Sequence, residues 1–170
     1  MYPETRHLIE EKMRDGVFPG AVLRFIEGEQ EEEEVYGFAQ IEPTKLAMQE
    51  DFLFDVASLT KVVCTTTVML KLKEEGKVSW DQSLHELLPE FQNETITIRH
   101  LLTHTSNIQT YIPNRDQLDA QELRGAYLTL QPGDKLGEVV QYTDAGTILL
   151  GFLIEELYQK DVIEVFKEEV

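Results

Sequence analysis

Ser58 and Lys61 stand three residues apart at the front of "ASLTKVVCTTTVMLKLKEEG", and this pairing can do chemistry. At i and i+3 on a helix two side chains share a face, with Cβ atoms about 5–6 Å apart. A serine hydroxyl is a weak nucleophile until a neighbour accepts its proton. A lysine can accept it only if burial lowers its pKa. A helix N-terminus adds a positive field and backbone N–H groups suited to an oxyanion. The bland alternative is a capping serine and a lysine whose stem lies along apolar surface. Spacing alone leaves both open. Two points favour chemistry: the chain has four serines and this one opens its most apolar helix, and a lysine followed by Val-Val-Cys has no evident route to water.

A second feature is "VVQYTDAG", where Tyr142 and Asp144 stand between an extended segment and a helix. A tyrosine beside a lysine can act as a proton acceptor when positive charge stabilises its phenolate. Asp144 on its own reads first as a helix cap. His100 and His104, four apart, have metal-compatible spacing, but Leu101 stands where H-E-x-x-H needs glutamate, so structural histidines are expected. Ser106 beside His104 lacks a G-x-S-x-G elbow, and neighbours two apart do not face each other on a helix. Cys64 reads as packing.

These residues need elements to hold them. The N-terminal stretch "MYPETRHLIEEKMRDG" reads as a short amphipathic helix with Leu8, Ile9 and Met13 on one side. "AVLRFIE" (21–27) and "EEVYGFA" (33–39) predict a hairpin, with the six glutamates of "EGEQEEEE" at a solvated tip. A short strand is expected near Phe52–Val56. The pattern predicts a central, buried helix from Ser58 to about Glu75, capped by Gly76. Short helices follow at 79–91 and after the Thr97 cap, then a helix near 119–129. A strong helix spans 143–159, with Gly146 and Gly151 allowing close packing. Asp161 caps a last helix. Two or three strands make a marginal sheet, so something that completes it is expected.

The chain's 170 residues, 42% of them hydrophobic, suit a globular domain with a real core. A net charge of −17 argues against nucleic acid as a partner. No window reaches the roughly 20 apolar residues of a membrane span. The N-terminus lacks a secretory pattern and the single cysteine excludes an internal disulfide, so a cytoplasmic location is expected.

Together, "FDVASLTK", "EEGKVSWDQSLHELLPEF", "ITIRHLLTHTS", "PGDKL" and "YTDAGTILLGFLIE" resemble, in order and spacing, the serine hydrolases related to class C β-lactamases, penicillin-binding proteins and their esterases. The resemblance runs from about residue 17 to 170. It implies an α/β (α+β) fold of the β-lactamase/transpeptidase type: a partial antiparallel sheet in 1–57, and the nucleophile helix with most of a helical domain in 58–170. It implies Ser58 as the acylated nucleophile, Lys61 as its proton partner and Tyr142 as general base, leaving open which of the two is the principal base. No metal or organic cofactor is implied. The substrate would be a small ester, amide, peptide or β-lactam. Asp144 stands where the family has asparagine. It would hold Lys61 protonated, or favour a substrate with an amine. Asn107 replaces the glycine of the family's H-T-S-G, and asparagine tolerates the left-handed conformation. The family's third motif, K-T-G or H-x-G on a later strand, has no counterpart in these residues. The chain is therefore expected to correspond to the N-terminal half of such a protein, with a C-terminal segment completing the sheet. Alone, it is expected to be inactive or nearly so, and the competing reading is a non-catalytic module of the same fold.

Overall fold

The structure is a computed structural model that describes residues 2–170. The chain divides into two compact units, up to Asp55 and from Val56 onward.

In the first unit, helix α1 (Pro3–Arg14) opens with proline in its first turn, where the missing N–H is harmless. Strands β1 (Gly20–Glu27) and β2 (Gln30–Gln40) pair antiparallel, Gly20 opposite Gly37 and Glu27 opposite Gln30. The turn falls at Gly28–Glu29, so the acidic run is not a tip: Glu31–Glu34 lie within β2. Glu31, Glu32 and Glu34 have partners there, and Arg24 of β1 takes Glu31 at 2.7 Å. Arg6 of α1 pairs with Glu32 at 2.6 Å and also with Glu34, and the Tyr36 hydroxyl donates to Glu34. Gly37 is required, because its φ is +63° and a Cβ would run into the Pro19 carbonyl. The third strand is β3 (Leu46–Ala47), paired with β2. The strand expected near Phe52–Val56 is absent; those residues have no regular structure. The sheet order is β1-β2-β3.

The second unit is helical. A π-helical segment, Lys61–Thr66, runs into α2 (Thr67–Glu74), and Gly76 ends it at φ +71°. Thr66 donates its hydroxyl to the Lys61 carbonyl at 2.8 Å, supporting the widened turn. Ser58 itself sits in the turn before the helix. Then come α3 (Leu84–Leu87), α4 (Ile98–Leu102), α5 (Ala120–Leu128), α6 (Ala145–Tyr158) and α7 (Val162–Glu169). Each of α3, α4, α5 and α7 starts on a side-chain cap: Ser83, Thr97, Asp119 and Asp161. Thr97 with His100 and Asp119 with Glu122 form reciprocal capping boxes.

The core gathers on α6, whose Leu149, Leu150, Leu153 and Ile154 are buried against Leu101 of α4, Met69 and Leu72 of α2, Phe91, Ile96 and Val165. Gly146 lets α4 and α6 meet: an added Cβ would lie 3.1 Å from the Leu101 carbonyl oxygen. Gly151 has no such role, since a Cβ there would meet nothing.

The expectation of a buried nucleophile helix needs correction. Thr65, Val68, Met69 and Leu72 are buried, but Leu59, Val62, Val63 and Leu70 are more than half exposed. One stripe faces the α6 core and the opposite apolar stripe faces solvent. Packing thus holds only one side. Met69→Ala should lower the free energy of unfolding by about 2–5 kcal/mol, and Val62→Ala by at most about 0.5 kcal/mol, in urea titrations followed by circular dichroism. Comparable losses for the two would contradict the one-sided packing.

Candidate active site

The site forms where two helix beginnings approach: the turn carrying Ser58 and Lys61, and the segment Tyr142–Asp144 that enters α6. All four side chains singled out by spacing meet around the Lys61 ammonium. Its Nζ donates to Ser58 Oγ at 3.0 Å and to Asp144 Oδ1 at 2.7 Å, and lies 5.4 Å from the centre of the Tyr142 ring. The Lys61 side chain is only 17% exposed, whereas Asp144 is 68% exposed.

Asp144 does not cap α6. It occupies the cap position, but its side chain accepts nothing from the helix backbone and goes to Lys61 instead. The helix keeps the Asp144 carbonyl, which accepts the Ile148 N–H at 3.0 Å. The carboxylate's cap role is exchanged for a charge partner.

The electrostatics follow from that pair. The hydrogen bond to Asp144 raises the Lys61 pKa above its ordinary value, outweighing burial. The same bond lowers the Asp144 pKa, with a smaller contribution from Arg115. Ser58 and then Lys61 hold the Tyr142 phenol below its usual value, against desolvation and the Asp144 charge. An ammonium with a raised pKa that already donates to Ser58 Oγ is a donor to that hydroxyl, not an acceptor of its proton.

Spacing did not point to His104 as part of this site. The ring packs on Tyr142 with centroids 4.6 Å apart and planes tilted by 44°. The backbone is left-handed, φ +56°, and the His104 carbonyl accepts the Gln141 N–H at 2.8 Å. Burial, and then the Lys61 charge, push its pKa below the ordinary imidazole value, so the ring is neutral at pH 7. His100 does separate work: its Nδ1 accepts the Thr97 N–H at 3.2 Å. Among the described residues no group of three His, Cys, Asp or Glu side chains is arranged to hold a metal. Asn107, left-handed at φ +46°, binds the approach to Tyr142 through Lys135 N–H to its Oδ1 (3.2 Å) and its Nδ2 to Gln141 Oε1 (3.1 Å). Ser106 is buried and Cys64 is a half-buried free thiol.

The family described as Beta-lactamase matches residues 5–170 of the chain. Among curated proteins, the protein flp of Staphylococcus aureus (strain COL) is 30% identical over 162 residues, covering 88% of this chain and 32% of that protein. Among solved structures, a class C beta-lactamase in complex with cefoxitin superposes with a TM-score of 0.76 at 27% identity, covering 97% of this chain and 47% of the other. FmtA from Staphylococcus aureus has the same TM-score at 21% identity, a likeness of fold. The chain spans about a third of the length of these curated relatives and about half that of the solved structures. Among the described residues no helix is long and apolar enough to cross a membrane.

Two outcomes test the geometry. Removing the carboxylate in Asp144→Asn should lower the titration midpoint of Lys61, read from its side-chain NMR shifts. The pair's contribution to stability, at most about 1 kcal/mol for so exposed a partner, has limits on both sides. It is present above the ordinary carboxylate pKa of about 3.9 and is lost as pH falls through the lowered Asp144 value. It is present below the ordinary lysine pKa of about 10.4 and is lost as pH rises through the raised Lys61 value. An unmoved Lys61 midpoint would contradict the ion pair. Separately, His104→Ala should change the Tyr142 ring shifts and shift its ionisation, whereas His104→Phe, which keeps an aromatic face, should preserve both.

Proposed function

The chain belongs to the beta-lactamase family of serine hydrolases, and from that membership we propose that Ser58 is the nucleophile of an acyl-transfer reaction on a small ester, amide, peptide or β-lactam-like carbonyl, with full activity expected only of a protein the length of its relatives. The observation that carries this reading is the convergence of Ser58, Tyr142 and Asp144 on one ammonium, that of Lys61.

In the proposed reaction Ser58 Oγ attacks the carbonyl carbon and its proton passes to the Tyr142 oxygen. Lys61 is a poor candidate for that proton, because Asp144 keeps it charged and one of its N–H groups already points at Ser58 Oγ. Its charge instead favours the Tyr142 phenolate. The tetrahedral oxyanion would take a hydrogen bond from the backbone N–H of Ser58, at the positive mouth of the helix. As the intermediate collapses, the leaving group departs with the proton held by Tyr142, and the acyl group remains on Ser58 as an ester. A water molecule, deprotonated by the same phenolate, then attacks that ester, and Ser58 Oγ recovers its proton.

Asp144 as receptor for a substrate amine finds less support than Asp144 as partner of Lys61, since the carboxylate is already engaged at 2.7 Å. A second reading, a non-catalytic module of the same fold, is favoured by the exposure of Ser58 and Tyr142 and by the bare Val62–Val63 face.

Intact-mass measurement after incubation with a fluorophosphonate and with a penicillin decides between the two. The proposal expects a single adduct on Ser58, absent in Ser58→Ala and at least tenfold slower to form in Tyr142→Phe. A chain that stays folded by circular dichroism and takes no adduct from either probe would overturn the catalytic reading for these 170 residues.

A further inference from the structure

Two cavities adjoin at Asp144. One, of about 380 Å³, holds Ser58, Lys61, Thr60, Thr147 and Ile148 on its walls, with Asp144 at its edge. The other, of about 200 Å³, has Asp144 on its near side and is lined by Thr110, Arg115, Tyr127, Thr143 and Ala145. Only three charged side chains line the two spaces. Lys61 and Asp144 neutralise each other at 2.7 Å. Arg115 makes no ion pair and no side-chain hydrogen bond among the described residues, although Asp144 feels its charge, so the three lining charges leave the combined site net positive in a chain whose net charge is −17.

Arg115 is held by more than a free loop. It begins a single 3-10 turn, Arg115–Gln117, set up by Asn114 in the left-handed conformation. Gln117 N–H donates to the Asn114 carbonyl at 2.8 Å and Leu118 N–H to the Arg115 carbonyl at 3.3 Å. Buried Ile112 anchors one side of the turn and the Asp119 capping box the other. A guanidinium offers a planar fork of donors that matches a carboxylate, and the hydroxyls of Thr110, Thr143 and Tyr127 can complete its shell. Tyr142, from which the leaving group takes its proton in the reaction proposed above, lines neither cavity.

We propose that Arg115 is a specificity determinant and that the substrate's acyl group carries a carboxylate that enters the Arg115 cavity while its reacting carbonyl sits at Ser58. This rests on Ser58 being the nucleophile, and the test keeps the two claims apart.

Mono-p-nitrophenyl adipate and p-nitrophenyl hexanoate have acyl chains of equal length and the same leaving group, differing in the terminal carboxylate. The expected result is that kcat/KM for the adipate ester exceeds that for the hexanoate ester at least tenfold. The ratio should fall to near one in Arg115→Gln and be partly restored in Arg115→Lys. A ratio near one in the unaltered protein, or one unchanged by Arg115→Gln, overturns the inference even if Ser58 is acylated by both. If neither ester acylates Ser58, the catalytic reading fails, and the subsite is judged by calorimetry with adipate. Binding that Arg115→Gln abolishes supports it, and no binding to the unaltered protein overturns it.

Discussion

The Lys61 ammonium is the constraint around which the site is arranged. Burial disfavours the charged form of a lysine and pulls its pKa down. Here a carboxylate at 2.7 Å reverses that tendency. Once Lys61 is a fixed cation, the roles of its neighbours follow. Ser58 Oγ receives a hydrogen bond from it, and in the proposed reaction its proton goes elsewhere. Tyr142, close enough to feel the charge, is the group whose ionisation becomes easier. Asp144 is the residue that converts a possible base into an electrostatic support.

That arrangement depends on backbone placements some distance from the reacting atoms. Gly146 lets α6 pack against Leu101 of α4 and so fixes where the helix begins. The turn after α4 then controls what precedes it: the His104 carbonyl and the Asn107 side chain both hold Gln141, and the His104 ring supports Tyr142. Tyr142 is thus positioned from two directions, by α6 after it and by the α4 turn before it. The core on α6 supplies rigidity on that side, while Leu59, Val62 and Val63 leave the other side of the segment that carries Ser58 and Lys61 open.

Much of this could be read in advance from local signals. Caps announce themselves by residue type, and Thr97 and Asp161 both start the helices they suggest. Gly76 and Asn107 both take the left-handed conformation their types permit. Ser58, Lys61, Tyr142 and Asp144 carried a recognisable combination, and the matching family and the solved relatives agree with the fold class it implied. Other features failed for physical reasons. Apolarity on several faces of a helix signals what the side chains would tolerate, not how many neighbours are there to cover them, so the 58–75 helix is half exposed. Asp144 had the right type and place for a cap, but an ammonium out-competes backbone N–H groups, and that preference depends on a contact 83 residues away in sequence. The contact of His104 with Tyr142 is likewise non-local, and no spacing rule reports it.

The central claim is that Lys61 stays charged and Tyr142 takes the serine proton. Its most direct test is the pH dependence of fluorophosphonate addition to Ser58, measured beside the ¹³Cζ shift of Tyr142 in the same protein. The account predicts one shared midpoint, below the ordinary tyrosine value of about 10, for both the rate and the phenol ionisation. A rate that ignores the Tyr142 ionisation and rises instead with loss of the Lys61 proton, above about 10.4, would contradict it.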